Sequence, residues 1–428
     1  MIKGDVATVG VIVAVGAMLF GLALFFLDGG GQSYDIEMEY EDWEQYNKEA
    51  LGWEGPIEIS GGMIHATGTG TGKIINADGS KTTVKVSPAH VTLVLMDGQS
   101  NAAYYKWSED RIPGAEDKAV TPAPELGKAF YFGWPERMPT DRTDDVSDCE
   151  IYDMIDPVTG DLRVADKGPA FCKVYTEETG KKAIWVSLGV PGVRLTYWNQ
   201  PNGLVWQYNA YVMQTFNNLL KDTDFVIDST IVLWLQGESD YLHNTGYNNY
   251  ITRWTSLHDA APEAWGHEIS AWYLLQGRTA DFGWVNDAYD ELAATIGDVY
   301  VATHASLQDS FSIDNGLMMP DDLHYTQLGD NALATAAARY IVGATGIGPV
   351  YLTEAAVSGT VGATITAPKN ARCYRTDGTS VLVKTTWDSS PDTSEAGTFV
   401  IDGTAANLSA LDVLEFAPGP LLIVTVEE

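Results

Sequence analysis

Five apolar runs limit what this chain can become: HVTLVLM (90–96), KAIWVSL (182–188), TIVLWLQ (230–236), ISAWYLLQ (269–276) and DVYVAT (298–303). None alternates apolar with polar residues, as a strand with one wet face does, so each has to be covered on both sides. Longer stretches with helical spacing follow them, at 168–179, 204–221, 245–258, 285–296 and 327–343. The pattern predicts a parallel sheet with helices on both faces, an α/β three-layer sandwich over residues 90–346. In such sheets ligands bind beyond the carboxyl ends of the strands.

The first run ends in MDGQSNA (96–102), whose Gly98-Gln99-Ser100-Asn101 are four small or polar residues that cannot continue a buried strand. Such an exit is either an ordinary turn or a way of presenting Ser100, with Gly98 permitting a sharp bend. Ester hydrolysis needs a nucleophile, a base, a group that orients the base and donors for the oxyanion. Ser100 is the candidate nucleophile. His324, in PDDLHYTQLGDNALA just before the last helical stretch, is the candidate base. Asp321 stands three residues earlier, where a tight turn brings its carboxylate to the imidazole, with Asp322 as a less suitably directed competitor. The candidate oxyanion donors are the Ser100 amide, the Gly192 amide and the side-chain amide of Gln236.

GQSN, WLQGESD and the D-x-x-H of DDLH occur in this order after apolar runs or before the last helix. Together they resemble the SGNH hydrolase superfamily, of flavodoxin-like architecture, and more narrowly the sialate O-acetylesterase-like carbohydrate esterases. The resemblance covers about residues 90 to 345 and implies Ser100 as nucleophile with Asp321 and His324 as the acid and base. The family's second block usually reads Gly-Gly-Thr or Gly-Gly-Ser followed by Trp. Here Pro191-Gly192-Val193 runs to Trp198, so Gly192 matches by its distance from Trp198 while Pro191 and Val193 depart. In the third block Gln236 takes the place of the oxyanion amide and Glu238 braces the loop. Gln99 and Asn101 support the serine turn. Arg194, Tyr197 and Trp198 are candidates to line a sugar subsite, against the alternative that the aromatics are core.

The flanks read differently. Val6 to Leu27 contains no charge, and a helix of that length spans roughly the 30 Å of a bilayer core. A transmembrane anchor over residues 1–28, with the membrane contacted through 6–27, is therefore expected; a cleaved signal peptide and a pilin-type leader are the alternatives. Lys3 before the span and DIEMEYEDWE after it put the body outside the cytoplasm, at a cell or viral surface. Gly10, Ala14, Ala17 and Gly21 share one helical face, which suits helix packing or is simply common membrane composition. Residues 29–52 read as an acidic stalk and 53–89 as a β-hairpin ribbon turning at Asp78-Gly79. Residues 347–428, rich in Val, Thr, Ser and Gly, read as a small β-sandwich, with carbohydrate binding and homo-oligomer packing both open.

Composition excludes several partners. A formal net charge of −33, from 58 acidic and 25 basic residues, repels polyphosphates and argues against nucleic acid. The three cysteines lack CxxC spacing; Cys149 and Cys172 are a candidate bridge, with a buried free thiol at Cys172 as the alternative. ATGTGTGKI lacks the glycine and the hydroxyl that a phosphate loop needs at Thr67 and Ile74, and HEIS at His267 lacks the second histidine of a zinc-protease helix. No metal or cofactor is implied. Two functions fit: a surface serine esterase that removes acetyl groups from sialic acid or polysaccharide, and a membrane-anchored spike or receptor-binding protein that holds glycans with little or no turnover.

Overall fold

The run at 90–96 becomes β1 (Ala89–Gly98), the axis of the computed structural model, buried at every position from Val91 to Gly98. The structure describes residues 35–103, 115–313 and 316–343, then 349–353, 357–367, 369–375, 380–387, 389–390, 393–394, 396–405 and 421–427. Six further strands complete the central sheet: β2 (Ala129–Gly133), β3 (Glu150–Asp153), β4 (Lys182–Ser187), β5 (Phe225–Leu235), β6 (Ala271–Leu275) and β7 (Val299–Thr303). Their order is β3-β2-β4-β1-β5-β6-β7.

The sheet is mixed, which corrects the all-parallel expectation. Six strands are parallel, but β3 runs antiparallel to β2 with Ile151 opposite Phe132. Both strands are short and escape a pattern search, since AFYFG and EIYD carry too few residues to show a period.

Helices α1 (Lys167–Thr179), α2 (Leu204–Leu220), α3 (Glu238–Leu242), α4 (Tyr247–Trp265), α5 (Trp284–Thr295) and α6 (Gln327–Ile341) cover the sheet. Neighbouring residues of a strand point to opposite faces. On β6, Trp272 meets Trp254 and Trp265 of α4, with ring centroids 5.3 and 5.8 Å away. Tyr273 meets Tyr340 of α6 at 6.3 Å on the other side. The layers are therefore helix, sheet, helix. A buried ion pair, Lys167 Nζ to Asp330 Oδ1 at 2.7 Å, locks α1 to α6. The two carboxylates beside it, Asp330 and Asp166, hold Lys167 charged against the cost of burial and raise its pKa.

From β1 the chain builds to β4 and β2 on one side and to β5, β6 and β7 on the other. Loops after β4 and β5 thus leave on either side of the loop after β1, and a crevice opens where the order reverses.

Three other expectations are corrected. Among the described residues no helix is long and apolar enough to cross a membrane, so the expected transmembrane helix is left without support; the segment 6–27 itself lies outside the described residues. The stretch taken as a stalk carries strands, because DIEMEY alternates apolar and acidic residues and buries Met38 between two glutamates. Strands Ile36–Glu39, Lys81–Ser87, Gly70–Asn76 and Ala50–Glu54 form one sheet, and Trp43–Gln45, Met63–Ala66 and Ile57–Ser60 another, around Met38, Ile57, Ile64, Ile74 and Val84. Within them the hairpin does turn at Asp78-Gly79, closed by Asn76 N–H donating to the Ser80 carbonyl at 3.0 Å.

Among the described residues the carboxyl-terminal strands belong to one sheet rather than two facing ones. Pairings from Pro349–Thr353 through Asn370–Arg375, Ser380–Trp387 and Gly397–Ala405 reach Leu421–Glu427, which pairs back onto the first strand at Thr353. A circuit replaces the sandwich. Cys149 and Cys172 are buried free thiols, not a bridge, and burial pushes the Cys149 thiol up to about 12. The Cys373 side chain lies outside the described residues.

Gly98 fixes the exit from β1. Its φ is +142°, and a Cβ there would meet the Leu235 carbonyl oxygen of β5 at 1.9 Å. Gly98→Ala is expected to lower unfolding stability by at least ~2 kcal/mol through backbone strain and the forced parting of β1 from β5. Denaturant unfolding checks this; a variant as stable as the parent would refute the close approach.

Candidate active site

Ser100 is held by its own turn. Gln99 N–H donates to the Leu235 carbonyl at 3.1 Å, and the Ala102 and Ala103 amides both return to the Gln99 carbonyl, at 2.8 and 2.9 Å. The hydroxyl is left at the sheet edge, with the residue 6% exposed. From the far end of the sequence, the loop before α6 brings the base. Asp322 takes a positive φ of 54°, and Met319 N–H donates to the His324 carbonyl at 2.7 Å, which closes the loop on itself. Thr326 then caps α6 by accepting from the Gly329 amide at 3.2 Å.

The three side chains meet. Ser100 Oγ lies 2.9 Å from His324 Nε2, and His324 Nδ1 lies 2.7 Å from Asp321 Oδ2. With the Nδ1 proton on the aspartate side, Nε2 is free to accept the serine proton. Asp321 Oδ1 also accepts from the Leu323 and His324 amides, each at 3.0 Å. Burial works against ionisation of Asp321, yet these amides and the imidazole outweigh it, and the carboxyl is held below its ordinary range. Asp322 is occupied elsewhere: Arg278 Nη1 donates to its Oδ1 at 2.8 Å and to its carbonyl at 3.0 Å. Of the two neighbouring acids, only Asp321 serves the histidine.

The Ser100 and Gly192 amides were the expected backbone donors to an oxyanion. Among the described residues neither the Ser100 nor the Gly192 N–H has a hydrogen-bond acceptor. Gly192 has φ +67° and is exposed, so Pro191 and Val193 do not prevent the left-handed turn. Val190 N–H donates to the Gly98 carbonyl at 2.9 Å, which packs this loop against the serine turn.

Gln236 departs from expectation. Its amide nitrogen donates to Asp240 Oδ2 at 2.5 Å, with Gln99 Oε1 at 3.2 Å and the Val193 carbonyl at 3.3 Å also in reach. Its oxygen accepts from Tyr250 OH at 2.9 Å. Two protons face three protein acceptors, so this amide is spent on tying the three loops together. Glu238 does brace the serine turn: Oε1 accepts from Asn101 Nδ2 at 2.8 Å, and Asn101 reaches on to the Leu323 carbonyl at 3.2 Å. Gln99 Oε1 accepts from Ser239 N–H at 3.2 Å.

Trp198 is core rather than a sugar platform. It is buried, stands edge-on to Trp234 at 5.3 Å, and donates from Nε1 to Asp97 Oδ2 at 3.1 Å. Tyr197 is half-buried and Arg194 exposed at the start of the 195–198 turn.

Four residues of the support were not foreseen. Asp97 is fully buried and accepts from Gly98 N–H at 2.7 Å, Trp198 Nε1 and Asn209 Nδ2 at 3.0 Å. Burial outweighs these donors and pushes its carboxyl up to about 7. Asp240 accepts from Leu195 N–H at 2.7 Å as well as from Gln236. Arg278 and Asn209 complete the set. An acid three residues before the serine was the one visible signal; the others come from separate elements that only the fold joins.

Burial likewise raises the Glu238 carboxyl, from 4.5 to about 7. A carboxyl whose folded pKa lies above its unfolded value is bound to its proton more tightly in the folded state, so stability falls as pH rises through that window. Relative to Glu238→Gln, the parent is expected to lose about 3 kcal/mol of unfolding free energy between pH 4.5 and 7. Urea titrations of both proteins across that range check it, and parallel curves would refute a buried, proton-holding Glu238.

No protein-family model and no curated protein matches the chain. Among solved structures, a protein from Arabidopsis thaliana is similar at 16% identity and a TM-score of 0.40, over 59% of this chain and 98% of that one. A novel carbohydrate acetylesterase from Xanthomonas citri is similar at 15% identity and 0.38, over 85% and 81%. NanS is similar at 11% identity and 0.38, over 60% and 97%.

Proposed function

We propose that the chain is a serine esterase of SGNH type that removes O-acetyl groups from carbohydrate. The observation that carries this is the unbroken relay Ser100 Oγ, His324 Nε2, His324 Nδ1, Asp321 Oδ2, with steps of 2.9 and 2.7 Å. Ser100 Oγ attacks the acetyl carbonyl carbon while its proton passes to His324 Nε2. Asp321 holds the imidazole in orientation and stabilises its cation. The Ser100 and Gly192 amides face the oxygen that becomes negative. Collapse breaks the ester bond, the sugar oxygen takes the proton from Nε2, and acetyl remains on Ser100. Water then gives a proton to the same nitrogen and adds to the acyl carbon; collapse breaks the bond to Ser100 Oγ, which takes that proton back from Nε2, and acetate leaves.

Ser100 stands at the sheet edge with 6% of its surface exposed, which suits a small acyl group. The carbohydrate side is supported by the order of GQSN, WLQGESD and D-x-x-H in the sequence. The exposed polar side chains of Arg194 and Asn199 on the 192–199 loop also suit a polar ligand.

Ser100→Ala is expected to abolish both aryl acetate hydrolysis and labelling by a fluorophosphonate, with circular dichroism unchanged. Asp321→Asn is expected to lower kcat by ~10²- to 10⁴-fold, because the amide favours the wrong imidazole tautomer. Retained turnover in Ser100→Ala would overturn the assignment, and glycan binding without labelling of Ser100 would favour a binding protein.

A further inference from the structure

The turn that carries Asp321 and His324 is fastened at three consecutive carbonyls by three different donors. Arg278 Nη1 donates to the Asp322 carbonyl at 3.0 Å, Asn101 Nδ2 to the Leu323 carbonyl at 3.2 Å and Met319 N–H to the His324 carbonyl at 2.7 Å. Of these donors only Arg278 also takes hold of acids: Nη1 reaches Asp322 Oδ1 at 2.8 Å, and Nε reaches Asp281 Oδ2 at 3.2 Å. Its grip falls on the residue of the turn whose φ is positive, 54° at Asp322. Left-handed backbone is costly for a residue with a Cβ. The base from which the arginine reaches is itself fixed. Gly277, two residues past the end of β6, donates from N–H to Asn286 Oδ1 at 3.1 Å and accepts from Asn286 Nδ2 at 2.9 Å, so α5 brackets the residue before Arg278. On the other side, Thr279 donates from N–H and from its hydroxyl to Asp309, at 2.6 Å each.

Two adjacent acids precede the histidine, and a turn that relaxed at residue 322 would carry Asp321 off the imidazole. We infer that Arg278 is a positioning residue for the acid–base pair: it holds Asp322 in the left-handed conformation, engages its carboxylate and so reserves the imidazole for Asp321. This rests on the esterase reading above and adds what decides between the two acids. The side chain is 12% exposed, so a charge with little water around it is held by the two carboxylates and the carbonyl it joins. A guanidinium supplies donors in fixed directions to several acceptors at once, which the point charge of lysine reproduces only in part. The effect belongs to the chemical step, because the acid acts on the imidazole and not on the sugar.

The test uses the full chain, an aryl acetate and the far-downfield proton NMR signal of the Nδ1–H that His324 shares with Asp321. Arg278→Met keeps the aliphatic stem and removes the donors. It is expected to lower kcat by about tenfold, with KM within about twofold of the parent, and to remove the signal. Arg278→Lys, which keeps the charge should the methionine variant fail to fold, is expected to fall between that variant and the parent in kcat. Glycine at 322 takes the left-handed conformation without help, so in an Asp322→Gly background Arg278→Met is expected to cost less than about threefold and to leave the signal in place. An equal loss in both backgrounds, a loss carried by KM, or kcat and signal unmoved by Arg278→Met would overturn the inference and leave Arg278 as a structural ion pair. The signal needs no substrate. If it follows this pattern in a protein that turns over no acetate, the esterase reading falls alone; if it ignores Arg278 in an active enzyme, this inference falls alone.

Discussion

The contact between Gly98 and the Leu235 carbonyl sets the distance between β1 and β5 at the edge where the serine turn begins. Because a Cβ at 98 would meet that oxygen at 1.9 Å, the two strand ends close together only with glycine there. Once they have closed, Gln99 N–H has the Leu235 carbonyl as its acceptor and the next residue is thrown out over the edge. The loop after β4 joins through Val190 and the Gly98 carbonyl. Three strand ends are thereby drawn to one point, and the position of Ser100 is set by backbone hydrogen bonds rather than by its own side chain.

Buried acids then stiffen this point at a cost. Asp97, Glu238 and Asp240 each collect donors from different loops: an indole and an amide on Asp97, the serine turn on Glu238, the 195 amide and Gln236 on Asp240. Carboxylates accept several donors at once, which makes them efficient hubs where loops converge. The same burial opposes their charge and lifts Asp97 and Glu238 to about 7. Near neutral pH the scaffold is therefore held partly by protonated acids, while Asp321, at the rim with its side chain 38% exposed, stays ionised beneath the histidine.

Much of the central sheet was legible because burial on both faces demands continuous apolarity, which HVTLVLM and TIVLWLQ display without interruption. AFYFG and EIYD were not legible, being too short to show a period, and so the antiparallel edge was missed. DIEMEY misled in another way, since its acid content hid the alternation that buries Met38. Ser100, Asp321 and His324 were accessible from residue type, order and the three-residue spacing of acid and base. The role of Gln236 was not, because sequence gives a side chain its place on a loop but not the direction of its amide. That direction is set by Asp240 and Tyr250, one from the next helical turn and one from a separate helix. Arg278 and Asn209 were invisible for the same reason.

The ion pair of Lys167 with Asp330 has a further meaning for how this molecule comes apart. Nucleophile and base stand 224 positions from each other, and the base hangs from the first turn of the helix that this pair pins down. Loosening of that one helix silences the serine while leaving its strand and turn undisturbed. Loss of the contact between Ser100 and His324 and collapse of the sheet are thus separable events, and that contact reports on the docking of the helix before it reports on the core.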